Sequence, residues 1–361
     1  MLLRIPAPFD PHVHLRDLDW SHKGTVASET AAALSGGYTA LLDMPNTPPA
    51  TTHPDALNKK RSRFLESARC DWGLWFGASQ PGNQGHFDRV QHLVCGLKIY
   101  NNETTGDLLI EDQAMRDRII AAWPAGVPIA VHAEEDTVDD ILQLVRRHRK
   151  YVHFCHISSA FELKLLAGAR EEGLPVSIGV CPHHLFLTRD DLAALGPLGL
   201  MKPELKTSAD RDALRQALRS GLVDFVESDH APHTLAEKNG EEPAHGVPGL
   251  ETTLPLLGQA VHEGWLEPDR LVELVSTGPR RLFGYPLPPD SWTELDLGES
   301  QVIEDNNLRT RCGWSPFSGM RVHGVVRQVT LRGRQVFDGE QVLAAPGSGL
   351  PLTQRNPRVD A

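Results

Sequence analysis

Paired cysteines are missing from this chain: Cys70, Cys95, Cys155, Cys181 and Cys312 are its five, and none forms a CxxC pair. An odd set without close spacing argues against a disulfide scaffold and suits free thiols in a reducing cytoplasm. Long apolar runs are also missing. No segment approaches the roughly 18 apolar residues of a membrane-spanning helix, and Met1-Leu2-Leu3-Arg4-Ile5-Pro6 lacks the apolar stretch of a signal peptide. No basic tract offers a nucleic-acid footprint. Net charge is −11, and Arg146-Arg147-His148-Arg149-Lys150 is short and reads as a solvated helix end. Low-complexity tracts and internal repeats are absent too. The rest is an ordinary globular composition, 40% hydrophobic and 23% charged over 361 residues. That suffices to build one large domain or two ordinary ones without staples.

Histidine is plentiful, at 17 residues, so its placement matters. Short apolar, β-branched runs occur near 9–14, 38–44, 72–78, 95–100, 128–132, 151–156, 175–180 and 223–228. They alternate with helix-compatible segments such as 24–35, 54–68, 110–122, 136–148, 160–172 and 209–220. Gly36-Gly37 and Gly173 stand where helices should stop. Eight β-then-α units predict an α/β fold, a (β/α)8 TIM barrel, with a doubly wound open sheet as the alternative. Beyond residue 290 the segments 292–297, 322–331 and 334–337 read as short strands. They predict a small β appendage joined by the extreme N-terminus. The expected organisation is a barrel over 8–288, an appendage of 1–7 plus 289–345, and an irregular Pro/Gly-rich tail over 346–361.

Ligand-type residues fall at the ends of these strands. His12 and His14, two apart on an extended segment, point to the same side. Lys98 closes the fourth run, His132 the fifth, His156 the sixth and Asp229 the eighth. In a barrel all of these converge on the C-terminal face, where such folds carry their active sites. Each alone reads equally well as a buried structural group. Together, after five different strands, they read as a metal site. Four imidazoles and a carboxylate suit zinc best, with manganese or iron as substitutes, and they serve two ions if Lys98 bridges them as a carbamate. A water shared by two such ions would have a pKa near about 7 and could attack an amide or imide carbon, with Asp229 handling the proton. Arg16 adds an anion-binding fork.

These residues resemble the amidohydrolase superfamily and, within it, dihydroorotase. The resemblance is greatest to the dihydroorotase domain of the animal multifunctional pyrimidine-synthesis protein. It is carried by Asp10–Arg16, Thr30–Gly37, Met44-Pro45-Asn46-Thr47, Gly96–Tyr100, Asn102-Glu103-Thr104, His132-Ala133-Glu134, Cys155-His156, Pro182–Leu187, Ser228–Thr234 and Pro248–Thr252. Trp314–Phe317 and Val329–Gly333 extend it into the appendage, so it covers nearly the whole chain. The resemblance implies that His12, His14 and Asp229 hold one zinc, that His132 and His156 hold the other, and that carboxylated Lys98 bridges them. It further implies that Asp229 is the general acid/base in the reversible cyclisation of N-carbamoyl-L-aspartate to L-dihydroorotate. Arg16, Asn46 and His233 match positions that hold the substrate carboxylate, and Lys202, His245 and Gly246 match further contacts. A cytoplasmic homodimer is expected, with aspartate transcarbamoylase as a partner and neither nucleic acid nor membrane.

Three residues depart from the pattern. Lys202 stands in place of an arginine, Thr105 replaces an aromatic in a lid-like loop over 101–106, and Gly179 replaces a glutamate used around a third metal. Cys155, also associated with that third metal, is retained. Two competing readings are an allantoinase or dihydropyrimidinase/hydantoinase, and a non-catalytic scaffold for a transcarbamoylase. His153, His183 and His184 are expected to be structural or supporting, Cys181 a buried thiol, and Trp72 and Trp75 core.

Overall fold

The computed structural model describes residues 1–352. Its strands, in chain order, are β1 (Leu2–Pro6), β2 (Phe9–Val13), β3 (Ala40–Asp43), β4 (Asp71–Gly77), β5 (Gly96–Tyr100), β6 (Ile129–His132), β7 (Val152–Phe154), β8 (Val176–Val180), β9 (Phe225–Val226), β10 (Trp292–Val302), β11 (Arg321–Leu331) and β12 (Arg334–Phe337). β2 to β9 pair in sequence order and in parallel. Every residue in these eight is buried, as expected of strands covered on both faces. The ring closes where Val13 bridges His230 in parallel and the His14 amide donates to the His230 carbonyl at 2.7 Å. The barrel expected from the eight units is therefore the fold, and the open sheet is not.

The eighth strand is shorter than the expected 223–228. The Glu227 amide still donates to Val180 at 3.0 Å, but the Ser228 amide turns to the Asp10 carboxylate and Asp229 adopts φ 44°. Side chains take over from the ladder there.

Helices return the chain from strand to strand. Those at Val26–Ser35, Ala160–Glu171 and Ser208–Ser220 begin with capping boxes at Thr25, Ser159 and Thr207. Each such cap contributes about 1 kcal/mol. Gly221, at φ 85°, ends the third in the left-handed conformation that glycine adopts without steric cost. Inside the barrel, Phe283 packs against Phe9, Trp75 and Phe225 at 6.3, 5.7 and 5.6 Å between ring centroids. Phe9 and Phe225 open their strands, so this aromatic plug fills the N-terminal end and leaves the other end to polar groups.

The appendage is an antiparallel sheet in the order β1-β10-β11-β12, so the N-terminal segment does join it. β10 runs to Val302 rather than 297, because its pairing resumes beyond an irregularity between Asp296 and Ser300. Of the tail expected to be irregular, residues 350–352 lie along β4. Trp72 donates to Leu350 at 3.0 Å and accepts from Leu352 at 2.7 Å. Residues 353–361 lie outside the described residues. Among the described residues, no helix is long and apolar enough to cross a membrane.

The sheet is fastened to the barrel by the helix Thr253–His262. Gln259 Oε1 accepts from the His323 amide at 2.9 Å, and an added Cβ at Gly258 would stand 2.5 Å from the His323 carbonyl oxygen. In an exposed helix, glycine to alanine gains about 1 kcal/mol. Here the backbone clash outweighs that gain, and Gly258→Ala is expected to lower stability by about 1–3 kcal/mol, the usual cost of overpacking. Urea unfolding of the two proteins measures it, and an unchanged or raised midpoint would contradict the packing described.

Candidate metal centre

The polar end of the barrel is built on one periodicity used twice. Along β2 and its extension, Asp10, His12 and His14 recur at every second residue; after β9, Glu227 and Asp229 do the same. Barrel closure brings these two series face to face. Asp229 Oδ1 lies 3.3 Å from His12 Nε2 and 3.2 Å from His14 Nε2, within ion-pair reach. His12, His14 and Asp229 each offer a donor atom within 4.8 Å of the others. Across the mouth, His132 Nδ1 lies 3.1 Å from His156 Nε2, and the His12 and His156 rings are 5.2 Å apart. Lys98, fully buried, points its amine at Cys155 Sγ, 3.1 Å away. It sits in the middle of β5 rather than at its end. All six expected ligands therefore gather in one buried cluster.

Several buried atoms in this cluster lack a hydrogen bond of good geometry: His156 Nδ1 has none, His12 Nδ1 has only its 3.4 Å ion-pair contact with Glu227, and Asp229 Oδ1 has only its contacts with His12 and His14. Orphaned lone pairs at close quarters are costly unless something else binds them. A divalent cation would satisfy these donors, so the residues present fit a metal. Electrostatics at two of the imidazoles point the same way, although His12, beside Asp229 and Glu227, is raised to about 10 against the effect of its burial. Burial holds His14 down to about 3 and His156 well below the usual imidazole range, so both present lone pairs. Burial opposes charge on Asp229, yet His12 and His14 keep its carboxyl far below the ordinary carboxylate range.

The sequence reading missed Glu227. Its Oε1 accepts from the His156 amide at 2.6 Å, and its Oε2 lies 3.2 Å from His153 and 3.4 Å from His12. The spacing that found His12 and His14 also holds between Glu227 and Asp229 and could have found it. His153, expected to be structural or supporting, takes such a place beside it. The strand ends at Phe154 and His156 has φ 38°, so alternation fails, and His153 and His156 both contact Glu227. His153, Cys155 and Glu227 form a second buried donor group. Gly179 is what makes room: a Cβ there would come 2.4 Å from Glu227 Oε1. The glutamate expected at 179 from the resemblance is thus replaced in space by one from the neighbouring strand.

Beside the cluster lies a buried group rich in donors. Arg16, at φ 64°, donates through Nε to the Pro232 carbonyl at 3.1 Å, and its Nη2 lies 3.1 Å from His233 Nε2. Its Nη1 is buried without a partner. Lys23 Nζ stands 3.2 Å from the other ring nitrogen of His233. Lys23 is also paired with the Glu237 carboxylate at 2.9 Å, so the donor left over in this group is Arg16 Nη1. Asn46 connects this group with the cluster: its Oδ1 is 2.7 Å from His14 Nδ1, and its Nδ2 donates to the Thr105 carbonyl at 2.8 Å. Thr105 Oγ1 in turn donates to the His245 carbonyl at 3.2 Å, so the 101–106 loop already touches both sides. Lys202 is less engaged, with its amine paired to Glu204 at 2.9 Å and its side chain 28% exposed. Gly246, at φ 135°, fits against the Ala231 carbonyl where a side chain would not.

Comparison with known proteins is consistent with this geometry. Residues 2–141 match the family described as Dihydro-orotase-like. The chain is 39% identical over 349 residues to the multifunctional protein CAD of Squalus acanthias, covering 96% of this chain and 15% of that protein. It therefore spans about a seventh of that relative's length. It is 35% identical over 355 residues to the dihydroorotase of Pyrococcus furiosus, covering 95% of this chain and 83% of that one. Among solved structures, the L-hydantoinase (dihydropyrimidinase) from Arthrobacter aurescens superposes with a TM-score of 0.93 at 25% identity, covering 97% of this chain and 89% of that chain.

One buried lysine holds the far wall in place. Lys238 Nζ donates to the carbonyls of Leu200 at 2.8 Å, Ala244 at 2.8 Å and Gly246 at 3.1 Å, using all three ammonium hydrogens. These carbonyls flank Lys202 and His245. Burial lowers the amine to about 8, so at neutral pH it is still mostly charged. Lys238→Met should leave the carbonyls unmatched, at a cost of about 3 kcal/mol in stability. Hydrogen exchange should quicken over 199–202 and 243–247, and unchanged protection there would contradict the clamp.

Proposed function

We propose, on the premise that the chain belongs to the dihydroorotase family, that it interconverts N-carbamoyl-L-aspartate and L-dihydroorotate. The observation that carries this reading is the guanidinium of Arg16, whose buried Nη1 has no protein partner. A substrate carboxylate would fill it, bonded by the guanidinium fork, His233 and Asn46. Cyclic amides without that carboxylate, such as hydantoins or dihydropyrimidines, would leave the cation uncompensated.

In this reading His12, His14 and Asp229 hold one zinc ion and His132 and His156 the other. Lys98 would serve as a further ligand once carboxylated, by addition of CO2 to its nitrogen with loss of a proton. When bound, such ions supply Lewis acidity toward the amide carbonyl and acidify water. The chain's own groups do the rest. Asp229, held ionised by the two imidazoles of β2, can take a proton and return it to the ring nitrogen as the C–N bond breaks. Arg16, Asn46 and His233 fix the ring so that its amide carbon faces Asp229. Lys202, His245 and Gly246 bound the far side, and Thr105 ties the covering loop to both walls. A cytoplasmic homodimer with an aspartate transcarbamoylase partner belongs to the same proposal, to be checked by sedimentation with and without the transcarbamoylase.

Side-by-side turnover of dihydroorotate, allantoin and dihydrouracil tests the substrate, and preference for either of the latter two would overturn it. Arg16→Gln should reduce kcat/KM for dihydroorotate by about a hundredfold, or roughly 2.7 kcal/mol, mostly through KM. Lys98→Ala should lower bound metal as well as turnover. A wild-type protein that binds no metal, and that Lys98→Ala leaves unchanged, would point instead to a non-catalytic scaffold.

A further inference from the structure

A separate donor group sits beside the centre, at the end of β8. Cys181 follows the strand, and the short helix Pro182–Phe186 carries His183 and His184 directly after it. All three are buried, to 0%, 2% and 2% exposure, and each offers a donor atom within 4.8 Å of the other two. The two rings stand edge to face at 4.4 Å. Neither histidine is an ordinary core imidazole satisfied at both ends.

The hydrogen bonding of His184 fixes which nitrogen is free. Its Nε2 lies 3.0 Å from the Pro203 carbonyl oxygen, so Nε2 carries the hydrogen and donates. The lone pair must then be on Nδ1, which is buried with no partner. A histidine that gives one N–H to a backbone carbonyl and keeps the other nitrogen bare is oriented as metal-binding histidines are. His183 adds Nε2, also buried and unpartnered. The third donor is a thiol that is not disulfide-bonded.

We propose that Cys181, His183 and His184 form an additional site for one thiophilic divalent ion, Zn2+ in the first instance. It is distinct from the donors on β2, β5, β6 and β9. Binding replaces the S–H bond of Cys181 with an S–metal bond and releases one proton to solvent; the two imidazoles bind as neutral ligands. Sulfur with two imidazoles suits zinc, and three protein ligands leave a fourth position for water. The ion would lie at the wall of the mouth, where the carboxylates Glu227 and Asp229 help to offset its charge. This site rests on its own geometry and stands whether or not dihydroorotate is the substrate.

Cobalt substitution tests it, because thiolate-to-cobalt charge transfer reports sulfur ligation directly. The apo protein carrying Cys155→Ser, which removes the other thiol near the centre, is titrated with Co2+. A near-ultraviolet charge-transfer band is expected, and it should vanish in the Cys155→Ser/Cys181→Ser double variant. Metal analysis of the Zn2+-loaded single variant Cys181→Ser should show one equivalent per chain fewer than wild type. Should that variant fail to fold, His184→Gln takes its place, with the same loss expected. No band in the Cys155→Ser protein, or equal zinc content with and without Cys181, would overturn the proposal. Turnover of any substrate is not needed for either measurement.

Discussion

The contact between the two imidazoles of β2 and the carboxylate of Asp229 is the interaction on which the rest depends. It lies where the first and eighth strands of the ring meet, so it closes the barrel and assembles the centre at once. The eighth strand is only two residues long, and the ladder alone gives that seam little strength. Buried charge does the remaining work. Removing one partner from such a cluster typically costs several kcal/mol, because the other is left charged and unpaired. Catalytic groups and structural closure are therefore the same atoms.

Much of this was legible in the sequence, for local reasons. Parallel strands covered on both faces read as short β-branched runs, and some of the helices between them end at glycines such as Gly36 and Gly221, so the eight strands fall close to their expected places. Alternation along an extended segment identified His12 and His14, and the resemblance extended the set. What escaped depends on contacts between distant segments. Glu227 matters because β9 pairs with β8, where Gly179 leaves it space. His153 and His156 share Glu227 because the chain leaves the strand conformation before His156. The extension of β10 is polar, and only its pairing with β11 makes it a strand.

Strain is concentrated in the same region. Arg16, His156 and Asp229 all have positive φ, in the left-handed region that side chains other than glycine seldom occupy. Each such residue costs of order 1–3 kcal/mol and persists only where its surroundings fix it. Here they do: His156 gives its amide to Glu227, Arg16 is held by Pro232 and His233, and Asp229 faces two histidines. The strained turns swing these side chains from the barrel wall into the mouth. Rigid placement of this kind lets a site act without reorganising for each turnover.

The second sheet has a consequence for how the chain is made. Among the described residues β1 pairs only with β10, nearly three hundred residues later, and while β3 soon covers one edge of β2, the other waits for the segment after β9. On the ribosome, β1 must remain unpaired, and β2 open along one edge, until those distant partners have emerged. Such open edges are the usual templates for wrong pairing between nascent chains. The short length of β1 and the Pro6 that ends it, together with Arg4 within it, shield that edge until its partner emerges.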